Sequence, residues 1–171
     1  VCYTGDSVSG RTINHNLGVA PELMILKSRS ASGTNYQWWV YQKDIPTTPY
    51  PTNLTLNTND AAYAWSSIIN TPTTTTFSVN NTFGNPSGTT FVAYLFATCA
   101  GVSKVGSYTG TGTTLQVNCG FTGGARFVLI KKTSGTGSWY VWDSARGIVS
   151  GNDPYLLLNS TAAEVTNTDY I

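Results

Sequence analysis

Few side chains in this sequence could carry chemistry. His15 is the single histidine. A Ser-His-Asp triad would have to use it, yet no serine sits in a Gly-x-Ser-x-Gly elbow. His15 lies in Asn14-His15-Asn16-Leu17-Gly18, a turn before a strand, where it reads as structural or solvent-exposed. A glycosidase needs two carboxylates about 5 to 10 Å apart across a cleft. Of the eight acids, Asp143 and Asp153 come nearest to such a pair. Asp143 lies close to Arg146, which suggests an ion pair or turn cap, and Asp153 precedes Pro154, a common turn pairing. Asn57-Thr58-Asn59-Asp60 and Asn152-Asp153 offer hard oxygen atoms without the spacing of a calcium loop, so they read as solvated turns. Cys2, Cys99 and Cys119 are an odd count with no Cys-x-x-Cys spacing. They indicate neither a zinc site nor a disulfide scaffold. Buried free thiols are expected, with a Cys2–Cys99 disulfide as the alternative. No enzyme activity, metal or cofactor is expected.

The aromatic residues are the remaining candidates. Trp38-Trp39-Val40-Tyr41 and Trp139-Tyr140-Val141-Trp142 read as strands with aromatics on both faces. Alternate residues of a strand point opposite ways, so Trp39 and Tyr41 share one face and Trp38 and Val40 the other. One set fills a core; the other could stack on sugar rings or meet a neighbouring subunit. Core or subunit contact is the favoured use. Tyr50, between Pro49 and Pro51, and the run Thr73–Thr76 suggest stiff exposed loops suited to recognition or to spacing. The binding candidates are therefore Trp39, Tyr41, Tyr50, Trp139 and Tyr140.

The elements that must position these residues are strands. The 171 residues are 12% aromatic and 40% hydrophobic, enough for a packed fold, but only 10% are charged, against roughly 25% in an ordinary domain. Polarity comes instead from 27 Thr, 17 Gly, 16 Ser and 14 Asn. The net charge of +1 leaves no basic stripe for nucleic acid. Lys131-Lys132 is too small a basic cluster for that purpose. No apolar run approaches the roughly 20 residues of a membrane-spanning helix, and no N-terminal targeting pattern is present. Short β-branched and aromatic runs bounded by turn residues predict strands at Leu23–Lys27, Trp38–Gln42, Asn53–Leu56, Phe77–Val79, Thr90–Phe96, Thr114–Val117, Phe127–Lys131, Ser138–Trp142 and Tyr155–Leu158. The continuous runs Val92–Phe96 and Val128–Ile130 predict central strands covered on both faces. Only Ala61–Ile69 and Thr161–Val165 could form a helical turn or two. The expected fold is all-β: an antiparallel, jelly-roll-like β-sandwich.

An internal repeat organises these strands. Tyr3-Thr4-Gly5 recurs as Tyr108-Thr109-Gly110, and Leu23-Met24-Ile25-Leu26-Lys27 as Phe127-Val128-Leu129-Ile130-Lys131. Val40-Tyr41 matches Val141-Trp142, and Leu54-Thr55-Leu56-Asn57 matches Leu156-Leu157-Leu158-Asn159. Two units follow, a first over 1–100 and a second, partial one over 101–171. The second has no counterpart of Phe77–Val79 or Thr90–Phe96. An unclosed sheet edge is an aggregation hazard, so the chain is expected to be part of a longer polypeptide or to complete its sheet with a neighbour.

Three stretches carry a family resemblance. They are Tyr3-Thr4-Gly5 with His15–Ser30, Ser87–Tyr94 with Val102–Gly112, and Phe127–Lys131 through Trp142-Asp143-Ser144-Ala145-Arg146-Gly147 to Leu158-Asn159-Ser160. Together they resemble a β-module, often tandem, of tailed-bacteriophage structural and tail-fibre-like virion proteins. Such modules often carry Phe-x-Pro before the Ile-Lys strand; here Gly123-Gly124-Ala125-Arg126 stands in the second unit, so that entry turn differs. The resemblance implies a virion location and a tail-fibre or receptor-binding module that assembles symmetrically, with trimers favoured, among other virion proteins. A capsid-surface decoration protein and a lectin-like module gripping host glycan are the alternatives. Neither nucleic acid nor membrane insertion is implied.

Overall fold

The computed structural model describes residues 1–45, 52–64, 68–70, 72–80, 83–149 and 151–171. Its strands are β1 (Cys2–Thr4), β2 (Arg11–Asn14), β3 (Leu23–Ser28), β4 (Trp39–Gln42), β5 (Thr52–Thr55), β6 (Tyr63–Ala64), β7 (Thr76–Val79), β8 (Thr90–Phe96), β9 (Phe127–Lys131), β10 (Trp139–Asp143) and β11 (Leu156–Leu157). The fold is all-β with antiparallel sheets and is sandwich-like. Among the described residues the one helical piece is a 3-10 turn at Thr34–Tyr36. It follows Gly33, whose φ of 108° suits a residue without Cβ.

The chain divides into two compact units. The first comprises Val1–Leu54 and Tyr63–Phe121, the second Thr55–Ala62 and Thr122–Ile171. This division differs from 1–100 and 101–171: residues 101–121 group with the first unit, and a short stretch after β5 groups with the second.

In the first unit six strands run in the order β1-β8-β3-β4-β5-β6, and β2 pairs with β7 in a second sheet. Alternation sets the core. Met24, Leu26 and Ser28 of β3 are buried while Leu23, Ile25 and Lys27 are half-buried. Ile13 of β2 and Phe77 and Val79 of β7 pack with Met24, Leu26, Trp39, Tyr41, Phe91 and Ala93. Each such large side chain contributes roughly 1.5–3 kcal/mol by leaving water. Tyr3 stacks on Phe91 with ring centroids 5.1 Å apart. Strand β8 is central in its hydrogen bonding, but its outer face is not covered: Tyr94 and Phe96 stay 46% and 45% exposed. A continuous apolar run marked a strand with two neighbours, not one with two covered faces.

The second unit holds a three-stranded sheet, β11-β10-β9. Its pairing repeats that of β3 and β4. Leu23, Met24, Ile25 and Leu26 face Gln42, Tyr41, Val40 and Trp39. Phe127, Val128, Leu129 and Ile130 face Asp143, Trp142, Val141 and Tyr140. The four pairs of β3 with β4 thus recur between β9 and β10 in the same register. Strand β11 lies beside β10 as β5 lies beside β4. Contrary to expectation, β9 is an edge strand.

Thr114–Val117, expected as a strand, forms none. At the offset that superposes β3 on β9, Leu115–Asn118 corresponds to β2 and Gly106–Tyr108 to β1; the Tyr108-Thr109-Gly110 motif is one residue out of that offset. In the first unit β2 pairs only with β7 and β1 only with β8. Neither segment has a strand partner among the described residues, and a strand without a ladder leaves its backbone to water. Accordingly Tyr108, Leu115 and Val117 are exposed.

Other expectations fall similarly. Within Ala61–Ile69 the described residues hold a strand, β6, and Trp65 lies outside the described residues. Thr161–Val165 forms no helix, and Val165 is bridged to Tyr155 by reciprocal hydrogen bonds of 3.0 Å. All three cysteines are free; Cys2 and Cys99 are exposed and Cys119 half-buried, so neither buried thiols nor a Cys2–Cys99 bond is found.

Candidate functional site: aromatic face and open edge of the second unit

The three residues that come nearest to acid–base chemistry, His15, Asp143 and Asp153, are held by structural bonds. His15 is buried; its Nδ1 accepts from the Leu17 amide at 3.2 Å, so Nε2 carries the proton and donates to the Thr73 carbonyl at 3.2 Å. Asp143 forms an ion pair with Arg146 and accepts from the amides of Ala145 and Arg146, both at 3.0 Å. The ion pair and turn cap read from the sequence are both present. Asp153 is fully buried, and its carboxylate accepts from the Tyr170 amide at 2.8 and 2.9 Å and from Ile171 at 2.7 Å. Among the described residues no three His, Cys, Asp or Glu side chains converge as metal ligands would.

Of the aromatic candidates, Trp39 and Tyr41 lie in the core, 2% and 8% exposed, with Trp39 tilted against Phe83 at 5.8 Å. They are corrected from binding to packing residues, because the β2–β7 sheet covers the face they share. Tyr50 lies outside the described residues. Trp139 is likewise buried, and its indole N–H donates to the Thr55 carbonyl at 2.8 Å.

Tyr140 alone among the described candidates belongs to an aromatic surface. Its ring stacks on Trp142 at 5.7 Å and 15°, and tilts against Tyr155 at 5.2 Å. Tyr155 lies 5.9 Å from Trp142 and 5.8 Å from Tyr170, so four rings form a ladder from buried Trp142 to exposed Tyr170. Burial pushes the Tyr155 phenol pKa up, and the Tyr170 and Tyr140 phenols push it further. The buried Trp142 indole N–H has no acceptor among the described residues. Trp142 could have been placed with Tyr140 from its spacing of two along β10. Tyr155 and Tyr170 join only through the bridge to Val165 and the Asp153 clamp, which sequence periodicity does not carry.

The edge of β9 adds to this face. In an antiparallel ladder successive residues bond alternately to the two neighbouring strands. The Ser144 amide donates to the Arg126 carbonyl at 2.9 Å, which turns Arg126, Val128 and Ile130 toward β10. Phe127, Leu129 and Lys131 therefore direct their N–H and C=O groups outward, where no described strand lies. Phe127 is 60% exposed.

The first unit has one further surface. A shallow groove of about 360 Å³ runs along the outer face of β8 between Leu17, Tyr94 and Phe96. Its lining is mostly apolar, and the imidazole of His15 in it is held by the bonds described above.

The fold is that of an all-β module that exposes apolar and aromatic side chains on its strands. The chain belongs to the family described as a domain of unknown function, DUF7483, which matches residues 1–171. No curated protein and no solved structure matches it.

Proposed function

We propose that the chain is a structural module of a bacteriophage virion, a tail-fibre or receptor-binding module that assembles symmetrically with copies of itself and contacts the host surface. The observation that carries this reading is the partly exposed aromatic face of the second unit, where Tyr140 and Tyr155 lead to the exposed Tyr170. In a chain with 10% charged residues, closing such surfaces costs little desolvation of charge. The resemblance of the tandem strands to phage structural modules supplies the particle, and trimers are the favoured assembly. The matched registers of β3–β4 and β9–β10 support a tandem duplication. The reading requires no catalytic step, cofactor, nucleic acid or membrane insertion.

The test is an antibody against the chain, applied to purified particles of a phage that encodes it and viewed by electron microscopy. Labelled tails are expected. Labelled capsids would move the module to capsid decoration, and particles free of label would overturn the virion reading.

A second reading, a lectin-like contact with host glycan, draws on the Tyr140–Tyr155–Tyr170 ladder, since aromatic faces can stack on sugar rings. A glycan array covering lipopolysaccharide and capsule sugars tests it; silence across the array leaves the assembly role alone.

A further inference from the structure

We infer that the outer edge of β9 is a docking site for one kind of occupant, an uncharged polypeptide segment with the chemistry of β7–β8, added as an antiparallel strand. The inference rests on backbone geometry and stands whether or not the chain belongs to a virion.

The first unit shows what covers the equivalent edge. Even-numbered residues of β3 bond toward β4, as the Lys43 amide to Glu22 carbonyl bond of 2.9 Å requires. Odd-numbered residues bond toward β8, as the 2.7 Å bond from the Arg29 amide to the Thr90 carbonyl requires. Leu23, Ile25 and Lys27 are thus paired with Phe96, Tyr94 and Val92 of β8. Their counterparts in β9 are Phe127, Leu129 and Lys131, the residues whose backbone groups point outward.

Three further observations agree. The face of β9 and β10 made by Val128, Ile130, Tyr140 and Trp142 corresponds to that of Met24, Leu26, Trp39 and Tyr41, which is fully buried in the first unit. In the second unit Val128, Ile130 and Tyr140 remain half-exposed. An incoming strand in the β8 register would set an alanine opposite Ile130 and a leucine opposite Val128, as Ala93 and Leu95 stand opposite Leu26 and Met24. Finally, the segments corresponding in sequence to β1 and β2, Gly106–Tyr108 and Leu115–Asn118, form no strand. In the first unit the partners of β1 and β2 are β8 and β7. Strand addition to a free edge is an established mode of peptide recognition, with main-chain bonds giving affinity and alternate side chains giving specificity.

The test titrates the full chain with a synthetic peptide carrying the sequence of Thr73–Thr98 and follows amide hydrogen exchange residue by residue. Exchange at Phe127, Leu129 and Lys131 should slow at least tenfold at one peptide per chain, with a scrambled peptide inert. N-methylation separates edge pairing from stickiness. In β8 the Val92 and Tyr94 amides face the β3 side, whereas the Ala93 amide faces Val1, to which it donates at 2.8 Å. Peptide methylated at Val92 and Tyr94 should lose protection of β9, and peptide methylated at Ala93 should keep it. Equal loss with both methylated peptides would overturn the proposal, as would no protection at saturation. Concentration-dependent protection of β9 without peptide would overturn it in favour of self-pairing between copies.

Discussion

Gly5 lies so close to Pro86 that a β-carbon on Gly5 would stand 2.0 Å from the Pro86 carbonyl oxygen. The contact is backbone against backbone. The Gly5 amide donates to the Thr89 carbonyl at 2.7 Å and its carbonyl accepts from Gly88 at 3.0 Å, so the turn before β8 is fastened to the end of β1. No side chain can swing aside to make room. Gly5→Ala should therefore cost roughly 1–3 kcal/mol, as overpacking does. Gly110, its counterpart in the repeat, has no atom within 4 Å of a built β-carbon. Gly110→Ala should change stability by no more than about 0.5 kcal/mol. Chemical denaturation of the two variants makes the comparison; equal effects would contradict the different settings of the two Tyr-Thr-Gly motifs.

Glu22 ties β3 to both of its neighbours. Its carboxylate meets Lys43 Nζ at 2.8 Å and accepts from the Thr98 amide at 2.8 Å and the Thr98 hydroxyl at 2.5 Å. Burial raises its pKa, but the Lys43 and Thr98 hydrogen bonds together outweigh that and hold it at about 2. A depressed carboxyl pKa stabilises the fold above its unfolded value, and the contribution fades as pH falls through the native one. The first unit should thus lose stability between about pH 4.5 and pH 2, by on the order of 1 kcal/mol once solvent screening is allowed for. Glu22→Gln should be less stable at pH 7 and show a flatter profile over that window. Thermal melts of both proteins at a series of pH values measure it.

Sequence pattern was a good guide wherever two strands of one chain decide the outcome. Thr90–Phe96 and Phe127–Lys131 were bounded to the residue, because their apolar runs end at turn formers. It failed where a segment's own residues do not say whether it has a partner. Cys2–Thr4 forms a strand because β8 lies alongside it, and neither Val1-Cys2-Tyr3 nor its surroundings carry a period that says so. Thr114–Val117 alternates well and forms nothing, since alternation describes a strand's faces and not its partner. The aromatic site divided on the same line. Trp39 and Tyr41 were placed on one face from spacing alone, but whether that face is core or surface depends on β2–β7. The ladder of Tyr155 and Tyr170 onto Tyr140 depends on Asp153, read from the sequence only as the residue before a proline.

Asp153 fixes the segment that carries Tyr170. Its buried carboxylate collects two backbone amides, and its own amide donates to the Thr168 carbonyl at 2.7 Å. Hydrogen bonds to a charged acceptor are worth about 1.5–3 kcal/mol each when the acceptor is buried. Asp153→Ala should release Tyr170 from Tyr155 and raise amide exchange at Tyr170 and Ile171 by at least tenfold, while amides of β3 and β4 keep their protection. Unchanged exchange at Tyr170 would show that the aromatic ladder holds without its clamp.

The two buried tryptophans of β10 should respond differently to the same replacement. The Trp139 indole N–H has a partner, the Thr55 carbonyl at 2.8 Å, while the Trp142 indole N–H is buried without an acceptor among the described residues. Replacement by phenylalanine removes a similar volume at both sites, so the loss of packing is shared. At Trp139 it also leaves a carbonyl without its donor, which adds about 1–3 kcal/mol. At Trp142 it removes a polar group that gains nothing where it is, which offsets part of the cavity. Trp139→Phe should therefore be the more destabilising by on the order of 1–2 kcal/mol. Urea unfolding of the two variants, followed by the signal of the remaining tryptophans, gives the difference, and a reversed order would place an acceptor at Trp142.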